Sequence, residues 1–392
     1  MHAFINAAIE NGAHRVDDYN DGRQEGAAEA QANLYGGWRA GPADAYLHPA
    51  RSRPNLTVAT EAYATKLILE NRVAKGVSYV RGGQEKQVLA RREVILAGGV
   101  YNSPQLLMLS GIGPAGHLRD LGIEPVLDLP GVGRNLSEHA GYWTQHSTRE
   151  PITLLRELRA DKAALSLARW LAFGTGVMSS QSNSCHAEIR TREGLAQPDI
   201  QIYFNPVRPD AKPWFPGFVP QQEHRLTSVV CLLQPKSRGW MELRSADPRD
   251  KPRITLNLLA DQSDVDTLVR SVALLRELYG TEPLADLVAS ELMPGPDVRT
   301  NAEIEQWLRD TLITTHHSVG TCAMGVGEEA VVDPQLRVRG IERLRVCDAS
   351  IMPTVPGGNT NAPSIMVGEK ASDLIRGMEL PRAELEQPRA VA

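Results

Sequence analysis

At 392 residues, the chain is longer than a typical single domain, and one large domain or two interlocked domains with a sizeable core are expected. Hydrophobic residues make up 42% and charged residues 23%, near the globular average, which argues against a disordered, fibrous or membrane-spanning protein. The net charge of −5 comes without a block rich in lysine and arginine, so nucleic acid is not expected as a partner.

The cysteines and the amino terminus bear on the cellular compartment. Four cysteines lack the paired spacings of zinc sites or disulfide frameworks, which predicts a reducing, cytoplasmic environment and no metal site. No signal-peptide pattern is present, and no uncharged run is long enough to cross a bilayer. Peripheral association with the inner membrane stays open. The cysteines are Cys185, Cys231, Cys322 and Cys347.

The first hundred residues predict a helix, a connection and a small sheet. Apolar residues at helical spacing predict a helix over residues 4–12, and residues 13–45, rich in Gly, Ala and Asp, predict an extended connection over another domain. Residues 56–88 predict strands, beginning with the run LTVAT. The apolar run at residues 94–97 then meets two glycines, as expected of a buried strand that turns sharply beside a ligand.

The rest of the chain alternates helices and strands. Ser103 is a candidate helix cap, and Pro104 suits the first helical position. Residues 150–300 combine helical segments, alternating strands and an amphipathic stretch, and together predict a mixed sheet covered on one face by helices. The last 14 residues, from Glu379, predict a loose tail.

A literal GxGxxG occurs at residues 111–116, but its context predicts a helix stop and a turn. A dinucleotide fingerprint follows a strand and opens a helix, whereas this one follows a predicted helix and contains Pro114. No GxxxxGK, HExxH, GxSxG or CxxC is present, which argues against the common P-loop, zinc-protease, hydrolase and thiol-redox sites.

The segment TTHHSVGTCAMG, residues 314–325, contains two adjacent histidines. In extended backbone, neighbouring side chains point in opposite directions, so only one of His316 and His317 is expected to face a pocket. A pocket histidine is a candidate general base because its pKa lies near neutrality. A hydrogen-bonded structural histidine is the alternative.

Residues 343–375 contain a strand, then Asp348, a turn rich in Gly and Asn, and a helix predicted to start after Pro363. Free backbone N–H groups at such a helix start suit an electron-rich ring or an anion. From local sequence alone, NTNAPS fits a cofactor site and a simple capped turn equally well.

Together these segments resemble the glucose-methanol-choline (GMC) flavin oxidoreductases, in their choline- and alcohol-dehydrogenase-like branch. The likeness rests on AGGVYNSPQLLMLSGIGP, DLPGVGRNLSEH, HSVGTCAMG and GNTNAPSIMVGEKASDLI, and it covers nearly the whole chain, including residues 2–60. The resemblance implies an FAD-dependent oxidation of a primary alcohol to an aldehyde, with hydride transfer to the flavin N5.

The resemblance also implies the site residues. His317 falls on the family's base histidine, with Ser318 in place of the usual following proline, and Asn359 falls on the second active-site position. Six further residues are expected to contact FAD, from the adenosine part through the ribityl chain to the ring: Val58, Ala97, Asp348, Ala349, Thr360 and Asn361.

The implied fold is α/β, with a Rossmann-like FAD-binding domain interleaved with an α+β substrate domain. The family's amino-terminal strand, glycine fingerprint and helix, which bind the FAD diphosphate, have no counterpart in this sequence, so the FAD domain is expected to be incomplete. Exposed strand edges would then favour aggregation unless that piece is supplied in trans. The expected division is a connecting segment at 1–45, FAD-domain parts at 46–148 and 309–378, a substrate domain at 149–308 and a tail at 379–392.

Two alternatives to alcohol oxidation stay open. One is a flavin-containing enzyme like the hydroxynitrile lyases, and the other is a fragment without activity. The expected partner is a small-molecule alcohol, with choline-like, aliphatic and polyol substrates all compatible. The electron acceptor, oxygen or a respiratory carrier, is not specified by the sequence.

Overall fold

The computed structural model describes residues 1–22, 24–180 and 184–378, so the predicted tail at 379–392 lies outside the described residues. The predicted amino-terminal helix and the amphipathic helix are confirmed as α1 and α6. The helices are α1 (His2–Glu10), α2 (His48–Ala50), α3 (Gly99–Leu109), α4 (Ala115–Asp120), α5 (Ala160–Phe173), α6 (Gln262–Tyr279), α7 (Asn301–Thr311) and α8 (Asn361–Arg376).

The described strands form one sheet of seven strands and five sheets of two or three. They are β1 (Gly26–Glu29), β2 (Leu34–Tyr35), β3 (Trp38–Arg39), β4 (Tyr63–Glu70), β5 (Val73–Arg81), β6 (Gln84–Leu89), β7 (Val94–Leu96), β8 (Ile112–Gly113), β9 (Leu127–Asp128), β10 (Ala140–Thr148), β11 (Cys185–Ile189), β12 (Ile200–Asn205), β13 (Arg225–Leu232), β14 (Trp240–Glu242), β15 (Arg253–Thr255), β16 (Val288–Met293), β17 (Ile313–Thr314) and β18 (Leu344–Val346).

The seven-stranded sheet has the order β1-β11-β12-β13-β10-β16, and β17 also pairs with β10. Its pairings among the described residues are all antiparallel, whereas the sequence predicted a mixed sheet. The pattern could not distinguish the two, because apolar alternation reports which face of a strand is buried and not the direction of its neighbour. The predicted α/β class, with helices covering the sheet, is confirmed.

One face of the large sheet packs against helices α1, α6 and α7. On β12, Ile200, Ile202 and Phe204 are buried on this face, and Phe204 stacks on Phe4 of α1 with ring centroids 4.8 Å apart. Because side chains alternate along a strand, the intervening residues of β12 point to the opposite face. We call the face that packs against the helices the helix face, and the opposite face the cavity face, because a cavity borders it.

A second hydrophobic core surrounds β7 and β18, which pair in parallel, and includes residues of β4, α3 and α8. Leu96 and Val346 are buried there with Leu107 of α3 and Val367 of α8. Parallel strands end at the same edge, and the Cys347 amide donates to the Leu96 carbonyl at 2.8 Å. The residues that follow the two strands are therefore neighbours.

The start of α3 differs from the prediction. The helix begins at Gly99, so Pro104 lies inside it and Ser103 is not its N-cap. The first helical amide, of Gly99, instead donates to the Asp348 carboxylate at 3.0 Å, and the Ser103 hydroxyl donates to the same oxygen at 2.6 Å. The cap is supplied by a residue 249 positions away along the chain, which local sequence could not reveal.

Four further local predictions need correction. Part of the predicted connection at residues 13–45 forms β1, the edge strand of the large sheet, and LTVAT is not a strand, since β4 begins at Tyr63. Helix α8 begins at Asn361, two residues before Pro363. The predicted helix stop before residues 111–116 is confirmed at Leu109, but the motif itself contains β8 and the start of α4.

The two cores are built from interleaved stretches of the chain. Met241 and Leu243, from the predicted substrate domain, are buried in the β7–β18 core. Ala140 and Tyr142, from the predicted FAD-domain part, lie on β10 and are buried in the core between the large sheet and its helices. The division at residues 148 and 308 therefore stays a proposal.

Candidate active site

The two adjacent histidines lie in different surroundings. His316 is exposed and has a left-handed φ of 63°, a conformation that bends the chain after β17. His317 is half-buried, and its Nε2 lies 3.1 Å from the Asn359 side-chain nitrogen. His317 is thus the histidine that reaches the turn before α8.

A hydrogen-bonded tyrosine orients the Asn359 amide. The Tyr203 hydroxyl, from the cavity face of β12, donates to Asn359 Oδ1 at 2.7 Å, which leaves the amide NH2 facing His317. Because an amide NH2 only donates, His317 Nε2 must be the acceptor and is unprotonated. The Nε2 lone pair and an amide donor therefore sit side by side.

A buried carboxylate holds the backbone around His317. Glu138 accepts a hydrogen bond from the His317 amide at 2.7 Å through one oxygen and from the Ser318 hydroxyl through the other. Ser318 Oγ also lies 2.7 Å from the Tyr101 hydroxyl of α3. Ser318 stands where the family usually has proline, and its hydroxyl makes contacts that a proline side chain could not make.

The other nitrogen of His317 is also engaged. His317 Nδ1 lies 3.2 Å from Nδ1 of the buried His139 and 3.0 Å from Thr315 Oγ1. Burial lowers the pKa of His317 to about 4, with a further contribution from His316, and burial lowers the pKa of His139 to about 3, with a further contribution from His317. Both imidazoles are neutral at pH 7, and His317 keeps its proton on Nδ1.

A cavity of about 820 Å³ opens beside Asn359 on the cavity face of the large sheet. Part of its lining consists of polar side chains of β11 and β12, namely His186, Glu188, Gln201 and Tyr203. A second cavity, of about 370 Å³, lies farther along the same face and is lined in part by Trp143, Asn205 and Thr227. Asn359 therefore borders a cavity large enough for a small organic molecule, and His317 contacts Asn359 at its edge.

Three of the predicted FAD contacts lie at the shared edge of β7 and β18. Ala97 directly follows β7, and Asp348 and Ala349 follow β18. The Asp348 carboxylate is used within the chain, since it accepts from the amides of Gly99 at 3.0 Å and Ser350 at 2.8 Å. Ala97 is exposed, and its small side chain leaves the strand end open, which fits a ligand bound at the carboxyl ends of parallel strands.

The remaining predicted contacts divide between α8 and a loop. Thr360 is the N-cap of α8 and makes no side-chain cap hydrogen bond, so the first helical N–H groups stay open beside the cavity, which Asn361 lines. Such a helix start fits an electron-rich flavin ring. Val58, by contrast, lies exposed in the loop before β4. The roles of all six residues stay predictions.

Several residues of this site were not singled out from the sequence. Glu138 and His139 lie in the stretch DLPGVGRNLSEH, where an acid and a histidine directly precede a buried strand, and that pairing was the available signal. Tyr203 gave no signal, because it is an ordinary strand residue 156 positions from Asn359.

None of the described helices is long and apolar enough to cross a membrane. Within residues 1–22, 24–180 and 184–378, no group of three or more His, Cys, Asp or Glu side chains is placed to hold a metal ion.

Known proteins with similar sequences and structures point to one family. The "GMC oxidoreductase" family models match residues 1–141 and 235–368. The oxygen-dependent choline dehydrogenase of Brucella canis is 42% identical over 379 residues, which cover 96% of this chain and 68% of that protein. The protein of the same name from Rhizobium rhizogenes is 40% identical over an equal span.

The fold matches solved flavoenzyme structures. A formate oxidase from Aspergillus oryzae is 28% identical, with a TM-score of 0.88 over 95% of this chain and 69% of that one. Pyridoxine 4-oxidase from Mesorbium loti is 27% identical, with a TM-score of 0.83 over 97% of this chain and 70% of that one. The chain therefore belongs to the GMC oxidoreductase family and is an FAD-dependent oxidoreductase of the choline dehydrogenase-like kind that acts on CH–OH donors.

Proposed function

We propose that this protein oxidises a primary alcohol to an aldehyde, with His317 as the general base and Asn359 as the hydrogen-bond donor to the substrate oxygen. The observation that carries the proposal is the pairing of His317 Nε2 and Asn359 Nδ2, 3.1 Å apart beside the cavity. At this spacing, the acceptor can bind the proton of one hydroxyl group while the donor binds its oxygen.

The proton chemistry follows from the hydrogen bonds. His317 is neutral at pH 7 because burial lowers its pKa to about 4, so its Nε2 can take the hydroxyl proton. Thr315 Oγ1 and His139 Nδ1 lie 3.0 and 3.2 Å from His317 Nδ1, and either can accept its proton, which holds the ring in this tautomer. The Asn359 amide stabilises negative charge on the substrate oxygen as the proton leaves.

When bound, FAD would supply the hydride acceptor for the alcohol carbon. We assign the contacts of its ring to the start of α8, at Thr360 and Asn361. The rest of the cofactor is assigned to the shared edge of β7 and β18, at Ala97, Asp348 and Ala349, and to Val58 in the loop before β4. The relatives named oxygen-dependent choline dehydrogenase support an alcohol as the substrate.

The proposal is tested by anaerobic bleaching of the flavin on addition of alcohol, with FAD supplied to the purified protein. We expect His317→Ala to slow the bleaching by roughly 10²- to 10⁴-fold, the usual contribution of a positioned base. His316→Asn is the matched control, since asparagine tolerates the left-handed backbone of this exposed neighbour. An unchanged rate in His317→Ala would refute the assignment.

A further inference from the structure

The floor of the cavity holds a buried carboxylate and amide. Glu188 of β11 and Gln201 of β12 are directly opposed across the strand pair, and each is 2% exposed. Gln201 Nε2 donates to Glu188 Oε1 at 2.7 Å. Both residues line the cavity that Asn359 borders.

Each of these two side chains has one oxygen atom without a hydrogen-bond partner. Glu188 Oε2 and Gln201 Oε1 are buried and have no hydrogen-bond partner among the described residues. A buried polar atom without a partner costs free energy, so such atoms mark places where a ligand completes the bonding. When Glu188 is ionised both atoms are acceptors, so the group that satisfies them is a hydrogen-bond donor.

The surroundings of Glu188 favour a cation. None of the ion pairs found among the described residues involves Glu188, and burial raises the pKa of its carboxyl to about 7. Besides Arg39, which lines the same cavity, the titratable groups near it include the phenols of Tyr19 and Tyr203, whose pKa values burial raises and Glu188 raises further. His186 packs edge-on to the Tyr19 ring, with ring centroids 3.8 Å apart, and burial lowers its pKa to about 4, so the two phenols and the imidazole are neutral at pH 7. Neutral aromatic rings around one carboxylate suit an organic cation.

The same strand connects this floor to the catalytic pair. Gln201 and Tyr203 point to the cavity face two residues apart on β12, a separation of about 7 Å along a strand. The Tyr203 hydroxyl reaches Asn359, which contacts His317. A short molecule can therefore place its carbinol near His317 and a second polar group near Glu188.

We propose that Glu188 and Gln201 form a specificity subsite that receives an ammonium N–H of the substrate, so that a protonated primary or secondary amino alcohol is preferred. This inference rests on the proposed alcohol oxidation. A quaternary ammonium group has the charge but no N–H and would leave both acceptors unpaired. An aliphatic alcohol would supply neither the charge nor the donor.

The test measures binding by calorimetry to the full chain with FAD supplied, using three probes. 3-Amino-1-propanol and 1-butanol differ in an ammonium group against a methyl group at equal length, and choline carries a quaternary nitrogen. We expect the amino alcohol to bind at least roughly tenfold more tightly than either of the others. Glu188→Gln removes the charge with little change of shape and is expected to abolish this preference.

Glu29→Gln is the matched control, because Glu29 is an exposed acid on the neighbouring strand β1. It is expected to keep the wild-type preference. Equal binding of the amino alcohol and 1-butanol, equal binding of choline, or a preference retained in Glu188→Gln would overturn the subsite. Binding that depends on Glu188 without bleaching that depends on His317 would instead count against the proposed oxidation alone, which separates the two failures.

Discussion

The two faces of strand β12 divide stability from function. On the helix face, Ile200, Ile202 and Phe204 pack against α1 and α6 without any polar atom to satisfy. On the cavity face, Gln201 and the neighbouring Glu188 are buried just as deeply yet keep unpaired oxygens. Burial on the helix face stabilises the fold, whereas burial of these unpaired oxygens on the cavity face costs free energy, which fits the ligand subsite that we propose there.

The contrast extends to the neighbouring strands. The polar residues His186 and Glu188 on β11 face the cavity, while Cys185 and Ala187 of the same strand pack into the helix-face core. Substitutions on one face should therefore change unfolding and leave the chemistry intact, and substitutions on the other should do the reverse. Four measurements test this distinction.

The largest expected effect is on the helix face. Phe204→Ala removes a ring that is 2% exposed and stacked on Phe4, and it should lower the free energy of unfolding by about 3–5 kcal/mol through lost burial and a residual cavity. Chemical denaturation measures the change. Phe218→Ala is the control, since Phe218 is 85% exposed and its loss should cost less than about 0.5 kcal/mol. Equal losses in the two variants would remove the basis of the comparison.

The second largest effect is expected from removing the amide donor of Asn359 at the cavity. Asn359→Ala should reduce the rate of flavin reduction by roughly 10²- to 10³-fold, because the substrate oxygen loses its hydrogen-bond donor, with the melting temperature unchanged for this exposed residue. Asn359→His restores a donor at the same position and should recover most of the rate. Full activity in the alanine variant would show that the amide is not used.

Acidification should destabilise the protein through buried histidines, of which His186 faces the cavity and His146 stacks on Tyr279 of α6 on the helix face. Burial lowers the pKa of His139 to about 3 and that of His146 and His186 to about 4. The unfolded chain binds these protons near pH 6.5, so it holds more protons than the folded protein below that value. The stability contributed by the neutral histidines is therefore complete above about pH 6.5 and is lost as the pH falls towards 4.

Each of these histidines is expected to lower the free energy of unfolding by up to about 2 kcal/mol between pH 7 and pH 5. Urea denaturation at several pH values measures it. His186→Gln should flatten the dependence, and His48→Gln, at an exposed position, should leave it unchanged. A stability that does not vary over this range would contradict the neutral buried histidines.

The smallest effect is expected from the orienting hydroxyl. Tyr203→Phe keeps the ring but removes the hydrogen bond to Asn359 Oδ1, which frees the amide to turn, and it should cost about 0.5–1.5 kcal/mol of transition-state stabilisation. Flavin reduction should slow by up to about tenfold. Tyr35→Phe, at a side chain that is 84% exposed, is the matched control. A loss as large as that of Asn359→Ala would assign Tyr203 a direct contact with the substrate.

Much of the fold and part of the site could be predicted from residues that are close in sequence. Apolar residues at helical spacing were sufficient to predict α1 and α6, and short apolar runs were sufficient to predict β7 and β18. The family followed from several motifs in order, and these placed His317 and Asn359 as candidates 42 residues apart. Each of these inferences depends on a local pattern or on a linear order of patterns.

The family, the chemistry expected of an FAD-dependent oxidoreductase and the pair His317 and Asn359 as its candidates could be inferred from the amino-acid sequence. The folded chain was needed to show that the large sheet is antiparallel, that Glu138 and His139 hold His317, and that Glu188 and Gln201 form the cavity floor. These contacts join residues on separate strands and loops, 179 positions apart for Glu138 and His317, so no local pattern reveals them. Which strands pair, and in which direction, is set by the packing of the whole chain.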